Sequence, residues 1–241
     1  WKKTLDEFDS GSLKGPHYSL EDVTRLLGVS SSDIRLLLRF PIWEQHGGAK
    51  EPTCRNIDNG LQGGQNDTVG LQYTTRPADI DTIISLVRAM QEAFPSDSFE
   101  GSTSDFKSAY RQATANPLQA RFWILAVFDP ERNCPCFCVA AAQLFGGSSA
   151  PLNFCRIPGW CTFASSRLFF MAFVSCIDDM IFCERKSHAE VAFKLWRGFA
   201  ECCGWLIPDD KSPPPSALFR ALGAMICLAS EPGGDSFVHV T

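Results

Sequence analysis

No apolar run in this chain is long enough to cross a bilayer. The longest lies around Leu168 to Ile177, about half of the roughly 20 residues that a helical span requires. No secretory signal is visible, so a cytoplasmic or nuclear location with no membrane partner is expected. Basic excess is missing as well: 22 Lys and Arg face 27 Asp and Glu, for a net charge of −5. Free-standing nucleic-acid binders are mostly basic, so this balance counts against such a partner unless an active site claims several of the carboxylates. The eleven cysteines lack the C-x₂-C pairs with matching His that a structural zinc site needs. Cys134-Pro-Cys136-Phe-Cys138 alternates as on a strand and Cys202-Cys203 are neighbours. Most are therefore expected to be buried small apolar residues in a reducing compartment. No internal repeat or coiled-coil seam is present. The first residue is Trp1 rather than Met, so a piece of a longer polypeptide is expected.

What is present is an ordinary globular composition, 45% hydrophobic and 20% charged, over 241 residues. That length supports one large domain or two small ones. The most informative stretch is Phe173-Val-Ser-Cys176-Ile-Asp178-Asp179-Met-Ile-Phe-Cys183. Two short apolar runs rich in β-branched and aromatic residues read as strands, and the acidic pair falls at the turn between them. Two aspartates are a poor turn for stability alone: like charges repel, and neither residue favours positive φ. A divalent metal is the simplest compensation, because adjacent carboxylates offer the hard oxygen ligands that Mg²⁺ prefers. A solvated acidic turn is the alternative.

Residues 1–48 read as two short helices, near Lys2–Phe8 and around Leu20–Leu27, with Ser19 and Asp22 in capping-box spacing. From Gly47 to Thr75 the chain turns polar and glycine-rich. There Lys50 and Arg55 stand five apart before Asp58, placed to reach a triphosphate from a loop or to serve as plain surface charge. Asp79 to Phe94 carries Ile80, Ile83, Ile84, Val87 and Met90 at helical spacing, and Pro95 ends it. Asp105 follows at the end of a presumed strand, with a helix N-terminus as the other reading. Arg121–Asp129 and Cys136–Ala142 read as strands across the turn at residues 130–133. Gln143 to Phe154 is a glycine-rich loop entering a helix at Pro151, with Pro158-Gly159 expected to break or kink that helix. Ser187–Cys203 reads as an amphipathic helix through Val191, Ala192, Leu195, Phe199 and Cys202, ended by Gly204. Trp205 to Ile207 reads as a short strand, residues 218–228 as a strand pair pivoting at Gly223, and the last dozen residues as a frayed end.

In this order the motifs resemble those of the reverse transcriptases of retroelements, most closely of LTR-type and DIRS-like retrotransposons, from about Lys50 to Leu228. Asp105, Ala109 and Tyr110 match the D-x-x-x-A-Y motif, and Asp178-Asp179 match the x-x-D-D hairpin. The resemblance implies an RNA-directed DNA polymerase domain with Asp105, Asp178 and Asp179 as catalytic metal ligands for two Mg²⁺ ions, or Mn²⁺. Tyr110 would be the aromatic gate under the incoming sugar. Phe145-Gly146 with Ala150-Pro151 look like the F-G-x-x-x-A-P loop that supports template and nucleotide. Lys50, Arg55 and Lys211 would contact the nucleotide, and Leu222-Gly223 would lie in the primer grip. Two departures stand out: Cys176 where Tyr or Phe is usual, and Leu144 where Pro is frequent.

The fold implied is α+β, the fingers and palm of a right-hand polymerase, with an antiparallel palm sheet packed on helices and the thumb largely absent. The expected division is an N-terminal helical extension (1–48), a fingers portion (49–100), a palm (101–228) with a fingers insertion at about 113–150, and a tail (229–241) towards the thumb. Implied partners are a primed RNA or DNA template, dNTP, and the thumb and RNase H of a retroelement polyprotein. A catalytically inactive module of the same fold, binding nucleic acid or protein, is the competing reading. A metal-independent interaction domain is a third, and it expects Asp105 to lie far from Asp178.

Overall fold

The computed structural model describes residues 1–45, 51–70, 74–228 and, for the backbone, 238–239. In chain order the elements begin with α1 (Lys2–Asp9), β1 (Leu13–His17), α2 (Leu20–Leu27), β2 (Leu36–Glu44), β3 (Thr53–Asn59), α3 (Ile80–Ala93) and β4 (Phe99–Asp105). They continue with β5 (Ile124–Asp129), β6 (Cys134–Ala140), α4 (Ala150–Leu168), β7 (Phe173–Cys176), β8 (Asp179–Arg185), α5 (Lys186–Cys202), β9 (Leu218–Ala221), β10 (Ala224–Cys227) and β11 (Val238–His239). The chain divides into two compact units, one of Trp1–Tyr73 with Tyr110–Leu152 and one of Thr74–Ala109 with Asn153–Thr241.

The first unit is built on a five-stranded sheet in the order β1-β6-β5-β2-β3, antiparallel except where β2 runs parallel to β5. Residues 1–48 are therefore more than a helical extension. They supply two of these strands, which short length and an internal proline had hidden in the sequence. The two expected helices do form. Ser19 caps α2, its hydroxyl accepting from the Asp22 amide at 3.1 Å and donating to the Asp22 carboxylate at 2.8 Å. Asp is one methylene shorter than Glu, and the bond here closes side chain to side chain. The stretch expected to be a polar loop holds β3 instead, paired with β2 from Leu38↔Asn59 to Glu44↔Thr53. Between β5 and β6, Asp129 turns the chain by accepting from the amides of Glu131 (2.9 Å) and Arg132 (3.3 Å). Leu13, Leu37, Leu125, Cys136, Cys138 and Leu144 pack together in the core, with Trp1, Phe8 and Trp123 against them.

One ion network ties this unit together. Arg39 donates through Nε to Asp58 Oδ1 at 2.6 Å and through Nη2 to Oδ2 at 3.1 Å, a two-pronged contact between side chains 2% and 1% exposed. Arg111 adds a third bond to Asp58 Oδ2 at 3.0 Å, and Glu7 meets Arg39 at 2.7 Å and Arg111 at 3.0 Å. The attraction of Asp58 and Glu7 holds the Arg39 guanidinium above its usual pKa, against the cost of burying it.

The second unit contains a three-stranded antiparallel sheet, β4-β8-β7, and a smaller one, β11-β10-β9. On one face of β4 and β8, Phe99, Ile181 and Cys183 pack with Ile83 and Val87 of α3 and with Phe219 and Ile226 of the β9–β10 hairpin. On the other, Phe182 and Phe173 lie in parallel stacking with ring centroids 6.3 Å apart, and Phe173 meets Trp196 of α5 at 4.9 Å. Asp79 caps α3 in a reciprocal box with Thr82.

Several details differ from the sequence reading. Helix α4 is unbroken through Pro158. The buried face of α5 is Ala189, Ala192, Trp196 and Ala200, while Val191 and Leu195 are exposed. The small residues face in because a tryptophan takes up the space. Residues 205–207 form no strand; Trp205 sits edge-on to Phe106 at 6.0 Å. The tail contributes β11, paired with Met225 and Ile226. All eleven cysteines are free, four of them fully buried, fewer than expected. No helix among the described residues is long and apolar enough to cross a membrane.

Arg39→Met removes one side of a buried ion pair and leaves Asp58 with Arg111 alone. The first unit should lose about 3–5 kcal/mol in urea unfolding. A loss under about 1 kcal/mol would show that the network contributes little.

Candidate active site

β4 ends where β8 begins. Their register runs from Phe99↔Arg185 to Asp105↔Asp179, so two carboxylate-bearing residues stand directly opposite each other on adjacent strands. Cross-strand pairs of this kind place Cβ atoms roughly 5 Å apart and point both side chains to one face. Like charges in that position oppose folding. Asp178 precedes Asp179 in the two-residue loop Ile177-Asp178, closed by the Cys176↔Asp179 pair. The turn is therefore Ile-Asp rather than Asp-Asp, with Asp179 already in the strand. Ile177 has φ +53°, a left-handed conformation that costs a β-branched residue on the order of 1–3 kcal/mol.

Burial pushes the Asp179 carboxyl up to about 6, and the neighbouring charges of Asp178 and Asp105 add to the rise. Asp178 is raised too, again by burial first and then by Asp105, although a backbone hydrogen bond opposes it. Lys211 is the cation that acts against both rises. Its ammonium contacts Asp105 Oδ2, and that bond together with the charges of Asp105, Asp178 and Asp210 lifts its own pKa against partial burial.

The segment that carries Lys211 is pinned along β4. Ser102 donates to the Pro213 carbonyl at 2.5 Å, the Ser104 and Ser212 hydroxyls meet at 2.7 Å, and Gly101 bridges Ser216. Trp196 Nε1 donates to Ser104 Oγ at 3.2 Å, so the buried tryptophan of α5 braces the same ladder. Arg197 meets Asp209 at 2.6 Å at the start of the short 3₁₀ turn Asp209–Lys211. Beside the hairpin lies a half-open pocket of about 160 Å³, lined by residues that include Thr75, Cys155, Pro158 and Ile177. None of these supporting residues was identified from the sequence. Serines on a strand and an Arg–Asp pair twelve apart carry no periodic signal.

The four residues Asp105, Asp178, Asp179 and Lys211 thus come together in the second unit. Among the described residues, no group of three or more His, Cys, Asp or Glu side chains is placed so that it could hold a metal ion. The remaining site residues fall elsewhere. Leu222 and Gly223 form the β9–β10 turn, at φ +49° and +81°, the paired positive values of a two-residue hairpin loop.

In the first unit, the Tyr110 and Phe145 rings meet edge-on at 4.8 Å. Gly146 lies against the Asp58 carbonyl so closely that a Cβ there would fall 1.5 Å from the oxygen. The loop is held by Asn66, whose amide donates to the Gly146 carbonyl at 3.1 Å and accepts from the Ser148 amide at 2.8 Å. Arg55 stands on β3 in an exposed pair with Glu44 at 2.8 Å. Lys50 lies outside the described residues.

A carboxyl with a raised pKa binds its proton in the folded protein and releases it on unfolding. Stability from this group is therefore present at low pH and lost as pH rises from about 4 towards and above 6. In chelator, the melting temperature should rise on acidification from pH 7.5 to 5.5. Asp179→Asn should melt higher than the wild type at pH 7.5 and flatten the profile in that window. An unchanged profile would show that burial does not hold the proton.

No family model matches the chain, and no curated protein matches it. Among solved structures it is similar to the foamy viral protease-reverse transcriptase dRH in complex with double-stranded DNA. The TM-score is 0.66 at 13% identity, and the match covers 98% of this chain and 33% of that one. The chain spans about a third of the length of that neighbour. At this identity the likeness shows the fold alone: the chain has a reverse-transcriptase-like α+β fold.

Proposed function

We propose that this chain is the fingers and palm of an RNA-directed DNA polymerase of a retroelement, adding dNTP to a primer 3′-hydroxyl on an RNA or DNA template. The observation that carries the reading is the Asp105↔Asp179 register with Asp178 beside it, in a chain with a reverse-transcriptase-like fold. Three carboxylates, two of them raised by burial and by one another's charge, make an oxygen donor set that a hard divalent cation would relieve. Asp105, Asp178 and Asp179 would hold it. Two Mg²⁺ ions, or Mn²⁺ in their place, would supply the positive charge that favours the primer alkoxide and the leaving pyrophosphate.

The chain's own residues do the positioning. The hairpin presents Asp178 from its two-residue loop and Asp179 from the first position of β8. Tyr110, its ring edge-on to Phe145, would exclude a 2′-hydroxyl and so select deoxynucleotides. Arg55 and Lys50 would meet the triphosphate, and Leu222-Gly223 would support the primer. Phe145 and Gly146 would support template and nucleotide, on a loop whose glycine packs against the Asp58 carbonyl. Thumb and RNase H would come from further parts of a polyprotein.

The test is Mg²⁺-dependent primer extension on an RNA template at low salt, in a chain extended to include a thumb. Asp178→Asn should lower extension by at least about 10²-fold, the scale of losing one preorganised charge in a reaction centre. Extension absent from both proteins would favour a catalytically inactive module of the same fold. In the same assay, Tyr110→Val should raise ribonucleotide incorporation relative to deoxynucleotide by about 10-fold or more, since only a steric clash worth on the order of 1–3 kcal/mol is removed. An unchanged ratio would take the gate role away from Tyr110.

A further inference from the structure

We infer that Lys211 is an internal counter-ion which the carboxylate cluster exchanges for a divalent cation. The inference rests on the reading of Asp105, Asp178 and Asp179 as ion ligands.

Lys211 Nζ contacts Asp105 Oδ2, an oxygen that an ion shared between the two strands would need. The register places Asp179 directly across from Asp105, with Asp178 one residue before it, so the ammonium sits beside all three carboxylates. Its place is built rather than incidental. The 3₁₀ turn that carries it is anchored by Arg197–Asp209 at one end. At the other, the Ser212 and Pro213 contacts hold it to Ser104 and Ser102. Those anchors hold backbone, while the Lys211 side chain is 48% exposed and its four-carbon stem is free to swing to water. Without an ion, Lys211 limits the repulsion that the Asp105↔Asp179 register creates. When an ion arrives it brings two positive charges to oxygens that held one, and the ammonium is released.

Exchange of this kind has two consequences that a purely structural ion pair lacks. The lysine competes with the ion, so its removal tightens ion binding. The ion also frees the lysine, so its amine becomes more reactive when metal is added.

Both are measured on the full chain without nucleic acid. Free Mn²⁺ is followed by electron paramagnetic resonance for the wild type, Lys211→Met, Lys211→Arg and Asp178→Asn. Lys211→Met should bind Mn²⁺ about 3- to 10-fold more tightly than wild type, a difference that shrinks as salt screens the pair. Lys211→Arg should stay near wild type, and Asp178→Asn should bind more weakly. In parallel, amine acetylation read by mass spectrometry should rise at Lys211 of the wild type on adding Mg²⁺, with Lys194 on the exposed face of α5 unchanged.

Equal or weaker Mn²⁺ binding by Lys211→Met, or unchanged acetylation at Lys211 while the wild type binds Mn²⁺, overturns the exchange and leaves the ion site standing. No Mn²⁺ bound by wild type or Lys211→Met, or Asp178→Asn binding as well as wild type, overturns the ion-site reading and the exchange with it.

Discussion

The pairing of β4 with β8 in a single register puts Asp105 across from Asp179 and, two and four residues further along β8, puts Ile181 and Cys183 into the core with Phe99. Side chains alternate across a strand with period two. A slip of one residue would therefore send Asp179 to the face occupied by Phe182 and Trp196 and would bring Met180 and Phe182 out of it. The hydrophobic core and the carboxylate cluster are two results of one alignment. Burial of Phe99, Ile181 and Phe182 enforces a juxtaposition of charges that the charges themselves would avoid.

The rest of the second unit contains that repulsion. Trp196 braces Ser104, Ser104 meets Ser212, and the segment they hold delivers Lys211 to Asp105. The two links through Ser104 are ordinary hydrogen bonds worth about 1 kcal/mol each, and the effect lies in their order along the chain. The first unit manages its charges differently. Arg39, Arg111, Asp58 and Glu7 satisfy one another almost wholly away from water, and Asp58 also presents its carbonyl to Gly146. Removal of a carboxylate charge in the second unit relieves repulsion, whereas removal of Arg39 in the first leaves the buried Asp58 with one cation instead of two.

Much of this was legible in the sequence where a local rule and a tertiary demand agree. Ile80 to Met90 show helical spacing because one face of α3 is buried, and the hairpin stands out because apolar runs flank a polar tip. Legibility fails where tertiary contacts override local preference. Leu36 to Glu44 has a proline and two charges, yet it forms β2 because Arg39 finds Asp58 across the sheet. Thr53 to Asn59 reads as loop for the same reason, since its Asp58 looks like a surface residue until Arg39 and Arg111 are placed beside it. Val191 and Leu195 look like the core face of α5, but the face that packs is chosen by Trp196. Of the candidate site, the three aspartates and Lys211 could be grouped from motif order. The serines and the Arg197–Asp209 pair that hold Lys211 in place could not, because their partners lie far along the chain.

The hairpin tip sets bounds on how this region can vary. Backbone and side chain ask opposite things of position 177. At φ +53° the turn would be eased by glycine or asparagine, whereas the side chain of the exposed isoleucine lines one edge of the open pocket beside it. Glycine or asparagine would relax the loop and give up the apolar cover; valine or threonine would keep the strain and cover less. Backbone comfort and apolar cover are thus set against each other at a single site, one residue before Asp178.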